Sequence, residues 1–267
     1  MVTLYERVKP ILEATPESSE ASLDPGELGG AIELNSVSFR YQEEQPLVLN
    51  NISLKIESGE MVAFIGPSGS GKSTVMRILL GFEEPEGGSV YYDGDAFDSM
   101  NKDLVRRQIG VVLQNGSLMS GSIYKNIVGN SELSLEDAWE AARMAGMEED
   151  IKQMPMEMHT MVSEGAGTFS GGQRQRLMIA RAIAHKPRLL FMDEATSALD
   201  NRTQDIVSQS LDNLQATRIV IAHRLSTIIN ADRIFVLDKG TIVETGTYQE
   251  LMEKDGLFSK LAKRQIA

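Results

Sequence analysis

The chain has no cysteine among its 267 residues. A disulfide framework, a thiolate metal site and a cysteine nucleophile are therefore excluded, and the composition suits a reducing compartment. Basic residues are in deficit: 26 Lys and Arg against 38 Asp and Glu, a formal net charge of −12. A surface built to hold nucleic acid needs the opposite balance, so no nucleic-acid partner is expected. No apolar run approaches the roughly 18 residues that would read as a membrane span, and the N-terminus has no secretory apolar region. Internal repeats and low-complexity tracts are missing too. What remains is ordinary, with 42% hydrophobic and 24% charged residues. The length suits one large domain, or a domain with an appended subdomain.

Against that background one stretch stands out. Gly66, Pro67, Ser68, Gly69, Ser70, Gly71, Lys72, Ser73 and Thr74 fit G-x-x-x-x-G-K-[ST], the phosphate-binding loop. Glycines let successive backbone N–H groups turn toward one anion without a Cβ clash. A helix starting near Gly71 adds the positive end of its dipole. Lys72 can reach the β- and γ-phosphates, and the Ser73 hydroxyl can hold Mg²⁺. The apolar run Met61–Ile65 before the loop and Val75–Leu80 after it supply the strand and helix that this chemistry requires.

Along the rest of the chain, Leu4, Val8, Ile11 and Leu12 recur at helical spacing, with Pro10 inside the pattern, where proline kinks or splits a helix. A polar stretch through Asp24-Pro25-Gly26 reads as a linker. Ile32, Leu34, Val37 and Phe39 mostly alternate, as does Leu47–Ile56, which predicts antiparallel strands. From about Ser120 to His185 the pattern is helical, with Ser134–Asp137 as a capping box. Short apolar runs at Leu189–Met192, Ile219–Ile221 and Ile234–Leu237 predict a buried, largely parallel sheet. Asp93-Gly94-Asp95 and Asp238-Lys239-Gly240 read as turns. Six methionines between 144 and 161 suit either a soft partner surface or core filling in a helical subdomain.

Further residues point to phosphate chemistry, each with a plain alternative. Asp193 and Glu194 end an apolar run, where Asp193 suits a Mg²⁺ shell and Glu194 a general base; strand ends also carry acids simply because they are solvated. Ser170, Gly171, Gly172 and Gln173 open a helical run, forming either a second anion site or an ordinary N-cap. His223 after Ile219–Ile221 can donate to a γ-phosphate or be structural. Gln114, ending Ile109–Leu113, can reach metal or water, and alone signifies little. Tyr41 offers a face for a base, or is a solvent-facing tyrosine at a strand end.

Together, in this order, these residues resemble the ATP-binding cassette of ABC transporters over about residues 31–265. The resemblance implies that Tyr41 is the A-loop, Gly66–Thr74 Walker A, Gln114 the Q-loop, Ser170–Gln173 the signature and Leu189–Asp193 Walker B. Glu194 is then the catalytic carboxylate, Ser197-Ala198-Leu199-Asp200 the D-loop and His223 the switch histidine. Phe169 stands where the family usually has Leu; an apolar substitute implies slightly altered helix seating with the γ-phosphate contacts kept. Ser163–Gly167 looks like the X-loop of exporters. SEGAGTFSGGQRQRLMIARA, DEATSALDNRTQ and LQATRIVIAHRLSTI look most like NHLM-type bacteriocin exporters.

The implied fold is α/β: a P-loop NTPase (RecA-like) core, residues 31–114 and 185–267, with an antiparallel β subdomain and an inserted α-helical subdomain at 115–184. Residues 1–30 would be the tail of a membrane domain plus linker, making the chain the soluble end of a longer protein at the cytoplasmic face of the cell membrane. The implied cofactors are ATP and Mg²⁺. The implied partners are a second copy around shared ATP sites, the transmembrane domain and, through it, a leader-bearing peptide cargo. An importer subunit and a soluble ABC ATPase are the alternatives; the second usually carries a coiled coil or a second cassette, neither of which is present.

Overall fold

A computed structural model describes residues 2–13, 22–114, 116–163, 169–193, 195, 199–222 and 225–266. The chain opens with α1 (Val2–Leu12), then β1 (Ile32–Phe39), β2 (Leu49–Ile56), β3 (Met61–Ile65) and α2 (Lys72–Leu79). Next come β4 (Gly87–Tyr92), β5 (Asp95–Ala96), α3 (Lys102–Arg107) and β6 (Ile109–Val112). β7 (Gly121–Ser122), α4 (Ile123–Val128), α5 (Leu135–Met144), α6 (Glu148–Lys152), β8 (Met161–Val162) and α7 (Gly171–Ile183) follow. The chain ends through β9 (Leu189–Asp193), α8 (Asn201–Asn213), β10 (Thr217–Ile221), α9 (Leu225–Ile229), β11 (Arg233–Asp238), β12 (Thr241–Gly246), α10 (Tyr248–Glu253) and α11 (Leu257–Ile266).

Two larger sheets organise these elements. A six-stranded sheet runs β12-β11-β3-β10-β9-β6, parallel except for β12 at its edge. A four-stranded antiparallel sheet runs β2-β1-β4-β5. The apolar runs read from sequence become the central parallel strands because both faces are covered. Met61, Ala63 and Ile65 of β3 face a core shared with α4, α5 and α7, while Val62 and Phe64 face a core shared with β1, β2, β4 and α2. The alternation of β1 breaks at Asn35-Ser36, where the register shifts and Ser36 takes φ 53°. Both predicted turns close hairpins: Asp93 and Gly94 between β4 and β5, Lys239 and Gly240 between β11 and β12, all at positive φ. A small ribbon, β7 with β8, was not legible, since two-residue strands carry no periodicity.

α1 runs unbroken past Pro10. It ends two residues later, so the proline forfeits one late hydrogen bond rather than splitting the element. Tyr5, Val8 and Leu12 on it are exposed. The methionines divide: Met147 and Met158 are buried, Met144 and Met154 pack on the core, and Met156 and Met161 are exposed.

The expected capping box forms on α5: Ser134 Oγ accepts from Asp137 N–H, and Asp137 accepts from Ser134 N–H at 2.8 Å. Thr247 and Glu250 repeat it on α10. Hydrogen bonds from Ser134, its side chain first, hold the Asp137 carboxyl below its ordinary value. Those from Thr247, its backbone N–H first, do the same for Glu250. The unfolded chain therefore takes up these protons at higher pH than the folded one. The caps contribute fully above the ordinary carboxylate range, about pH 4, and their contribution is lost as pH falls through the lowered folded values. Asp137→Asn with Glu250→Gln is expected to flatten the acid limb of a Tm–pH curve; an unchanged limb would contradict this assignment.

Candidate active site

β3 delivers the chain to Gly66 at the carboxyl edge of the parallel sheet, where open α/β sheets bind ligands. The loop that follows needs glycine at two points. Gly66 has φ +154°, and a Cβ there would overlap the Leu237 carbonyl oxygen and stand 2.8 Å from Ser70 Oγ. Gly71 is the left-handed N-cap of α2 at φ 104°, and a Cβ would stand 2.6 Å from Leu49 Cδ2. The β11–β12 turn braces the loop: Gly240 N–H donates to Ser70 O at 3.1 Å.

Lys72, in the first turn of α2, is only 7% exposed. Its Nζ donates to the Gly66 and Pro67 carbonyls at 2.9 Å each, so the ammonium is folded over the loop it follows. Ser68, Gly69, Gly71, Lys72, Ser73, Gln114, Asp193 and Ile221 line a cleft of about 280 Å³. Asp193 ends β9, Gln114 lies just beyond β6, and Ile221 ends β10; these three adjacent strands converge on the loop. Thr74 points elsewhere: it is buried, with Oγ1 3.2 Å from the Tyr41 hydroxyl. Tyr41 also packs edge-on against Phe39, with ring centroids 4.9 Å apart, and keeps 48% exposure.

The cleft fits the expected groups. Gly66 and Gly71 of its loop leave no room for a Cβ, and a buried ammonium stands over the loop. A hydroxyl, an amide and one carboxylate from Ser73, Gln114 and Asp193 offer hard oxygen donors. Among the described residues no group of three or more His, Cys, Asp or Glu could hold a metal ion. The metal suited here takes few protein carboxylates and completes its shell with phosphate oxygens and water, the habit of Mg²⁺.

The Ser170–Gln173 turn lies apart from this cleft. Ser170 is the exposed N-cap of α7, its Oγ accepting from Gln173 N–H at 3.1 Å while Gln173 Oε1 accepts from Ser170 N–H at 3.0 Å. The plain N-cap alternative is thus realised within one copy. The N–H groups of Gly171 and Gly172 are first-turn donors, which a helix does not satisfy internally. Phe169 is buried in the core beneath, seating the helix as an apolar residue should. Asp200 lies off the cleft and caps α8, accepting from Thr203 N–H and Oγ1 at 3.0 and 2.8 Å. Those bonds, the backbone one first, hold its carboxyl below the ordinary value. Glu194 and His223 lie outside the described residues, as do residues 164–167 of the X-loop and 197–198 of the D-loop; Asp193 and Ile221, near them in sequence, line the cleft.

Several supporting residues escaped the sequence reading. Asp150 accepts from Gln173 Nε2 at 2.8 Å and from Arg176 Nη1 at 2.9 Å, fixing α7 behind its cap. Asn126 is fully buried; it exchanges hydrogen bonds with Met119 and accepts from Arg181 Nη2 at 2.7 Å. Burial pushes the Arg181 guanidinium down. No motif spacing links these partners, so only the fold could find them.

The ABC transporter family model matches residues 49–197. The leukotoxin export ATP-binding protein LtxB of Aggregatibacter actinomycetemcomitans is 41% identical over 264 residues, covering 97% of this chain and 37% of the relative. The exotoxin translocation ATP-binding protein PaxB of Pasteurella aerogenes is also 41% identical, over 263 residues and the same shares. The chain thus spans 37% of the length of these curated relatives. A solved bacterial Atm1-family ABC exporter with ATP bound superposes with a TM-score of 0.90 at 32% identity, covering all of this chain and 47% of that one. With a glycine-rich loop at a strand end, an aspartate ending β9 and a match over more than half its length, the chain belongs to the ABC transporter family, as an ATPase domain.

Proposed function

We propose that this chain binds Mg-ATP between two copies arranged head to tail and hydrolyses it to drive export of a peptide or protein across a membrane. The observation that carries the proposal is the convergence of Lys72, Ser73, Gln114 and Asp193 on one cleft while the Ser170 turn stands exposed elsewhere on the same chain. One half-site gathers phosphate-cradling donors; the other presents first-turn helix N–H groups that the helix does not satisfy internally. Bringing Ser170, Gly171, Gly172 and Gln173 of a second copy over the cleft supplies the γ-phosphate with donors on both sides.

Within that arrangement Tyr41 stacks on the base, and the N–H groups of the Ser68–Thr74 loop hold the phosphates. Lys72 swings from its own loop carbonyls to the β- and γ-oxygens. Ser73, Gln114 and Asp193 would hold Mg²⁺, which would supply positive charge against the phosphate oxygens. Glu194 takes a proton from the attacking water, His223 steadies the γ-phosphate, and Asp200 lies on the approach between copies. Loss of the γ-phosphate contacts then loosens the pair.

Coupling would run through the region near Gln114–Asn126, at whose far end Asn126 accepts from Arg181 Nη2 at 2.7 Å, to a transmembrane domain. In this reading residues 1–30 are the tail of that domain and its linker, 31–114 with 185–267 the ATP-binding core, and 115–184 the signature subdomain. The described residues include no helix long and apolar enough to cross a membrane. The domain would work at the cytoplasmic face, and nucleic acid is no partner. The relatives' names speak of leukotoxin and exotoxin, which supports a polypeptide cargo; the bacteriocin-like stretches narrow it to a leader-bearing peptide.

Two measurements test this reading. Lys72→Ala is expected to weaken ATP binding at least about tenfold in a fluorescent-nucleotide titration. Wild-type ATPase rate should rise faster than linearly with protein at low concentration. Strict proportionality from a stable monomer would reject the shared site.

A further inference from the structure

The far end of the phosphate-loop helix is held by side chains. α2 leaves carbonyls unsatisfied at its C-terminus. Arg106 Nε donates to Leu80 O at 2.9 Å and its Nη2 to Gly81 O at 3.0 Å, while the Tyr92 hydroxyl donates to Leu79 O. The Arg106 guanidinium also lies 5.4 Å from the centre of the Phe82 ring, on the residue that follows. A cation at a helix C-terminus meets the negative end of the dipole, and a fork that binds two carbonyls also fixes direction.

Two residues further on, Gln108 grips a different segment. Its Oε1 accepts from Leu28 N–H at 2.8 Å and its Nε2 donates to Gly26 O at 2.6 Å. Those partners belong to a strap, residues 22–31, laid along the antiparallel subdomain. The strap is secured at both ends: Leu23 pairs with Ser99 and Asn101, and Asp93 accepts from Gly29 and Ala31 N–H groups at 2.7 and 2.8 Å. Leu28 is buried at 2% exposure. β6 starts at Ile109, directly after Gln108, and leads to Gln114 in the cleft. One short run therefore touches the strap, the back of the cradle helix and the strand that carries a cleft residue.

We infer that Arg106 is a positioning residue for the phosphate cradle and that Gln108 clasps the strap to it, so that occupancy of the cleft is felt by residues 22–31. This rests on the ATP reading above. A strap tied only to the outer sheet would report nothing about the cleft; tied to the junction of α3 and β6, it shares the rigid element on which α2 is anchored.

The test uses the full chain, ATP with Mg²⁺, and amide hydrogen exchange of Leu28 and Gly29, with Thr217–Ile219 of β10 as the reference for global opening. In wild type, ATP should slow strap exchange at least about threefold more than it slows the reference. Gln108→Ala should keep its KM for ATP within about twofold while that differential response disappears. Arg106→Ala should raise KM roughly tenfold with kcat little changed, and Arg106→Lys, which keeps the charge but not the fork, should recover part of it. A strap indifferent to ATP in wild type, or a normal response in Gln108→Ala, overturns the clasp. KM and kcat falling together in Arg106→Lys overturns the positioning role. Absence of ATP binding in wild type would instead remove the underlying nucleotide reading, and the clasp with it.

Discussion

Glu194→Gln is expected to lower ATP turnover about 10²–10⁴-fold, the range a positioned general base contributes, while ATP still binds. The amide keeps the size of the carboxylate and loses the capacity to take a proton from water. Asp193, its neighbour in sequence, ends β9 inside the cleft, beside Ile221 of β10. Because hydrolysis is the step that dissolves the shared contacts, the variant should run as a dimer with ATP and Mg²⁺ and as a monomer without them. A single-turnover quench measures the first effect and sedimentation velocity the second. Near-normal turnover would remove Glu194 from the base role, and a monomer with ATP bound would remove the shared site.

The second large effect concerns Gly66. A Cβ at this position meets the backbone carbonyl of Leu237, which no rotamer change can move. The end of β11 carrying Leu237 or the phosphate loop itself has to shift, and the turn after β11 is tied to that loop, since Gly240 N–H donates to Ser70 O. Gly66→Ala should therefore cost more than about 4 kcal/mol, the class of effect produced by strain at special backbone positions. For a domain of this size that is a Tm drop of roughly 10 °C or more, with nucleotide binding lost. Gly69→Ala is the control: its φ of +76° imposes strain, but nothing lies within 4 Å of the added Cβ, so it should lose only about 1–2 kcal/mol. Equal melting temperatures for the two variants would show that the overlap relaxes freely.

The central strands were readable because burial on both faces leaves them almost purely apolar, as in Met61–Ile65 and Leu189–Met192. The phosphate loop was readable because its chemistry demands glycines and a lysine at fixed spacing. The braces were not. Leu237 and Gly240 lie far from the loop in sequence and act through backbone atoms, which any residue carries. Asp150 and Asn126 make tertiary hydrogen bonds to α7, 23 and 55 residues away, and no local pattern announces such pairs. The bulge at Ser36 interrupts the alternation of β1 through a positive φ that serine rarely adopts. Tyr41 and Asp200 had local signals, but a tyrosine at a strand end and an aspartate before a helix have commoner uses; Asp200 visibly serves one of them as a cap.

The reciprocal cap between Ser170 and Gln173 is closed in an isolated protomer, with Asp150 and Arg176 stiffening the helix behind it. In the proposed pair, a twin docking against this turn would meet a preformed surface and forfeit little chain freedom on contact. Like charge, not an ordering step, would then be the main obstacle to encounter, and the lifetime of such a pair would be set by the bound nucleotide rather than by refolding of the protein.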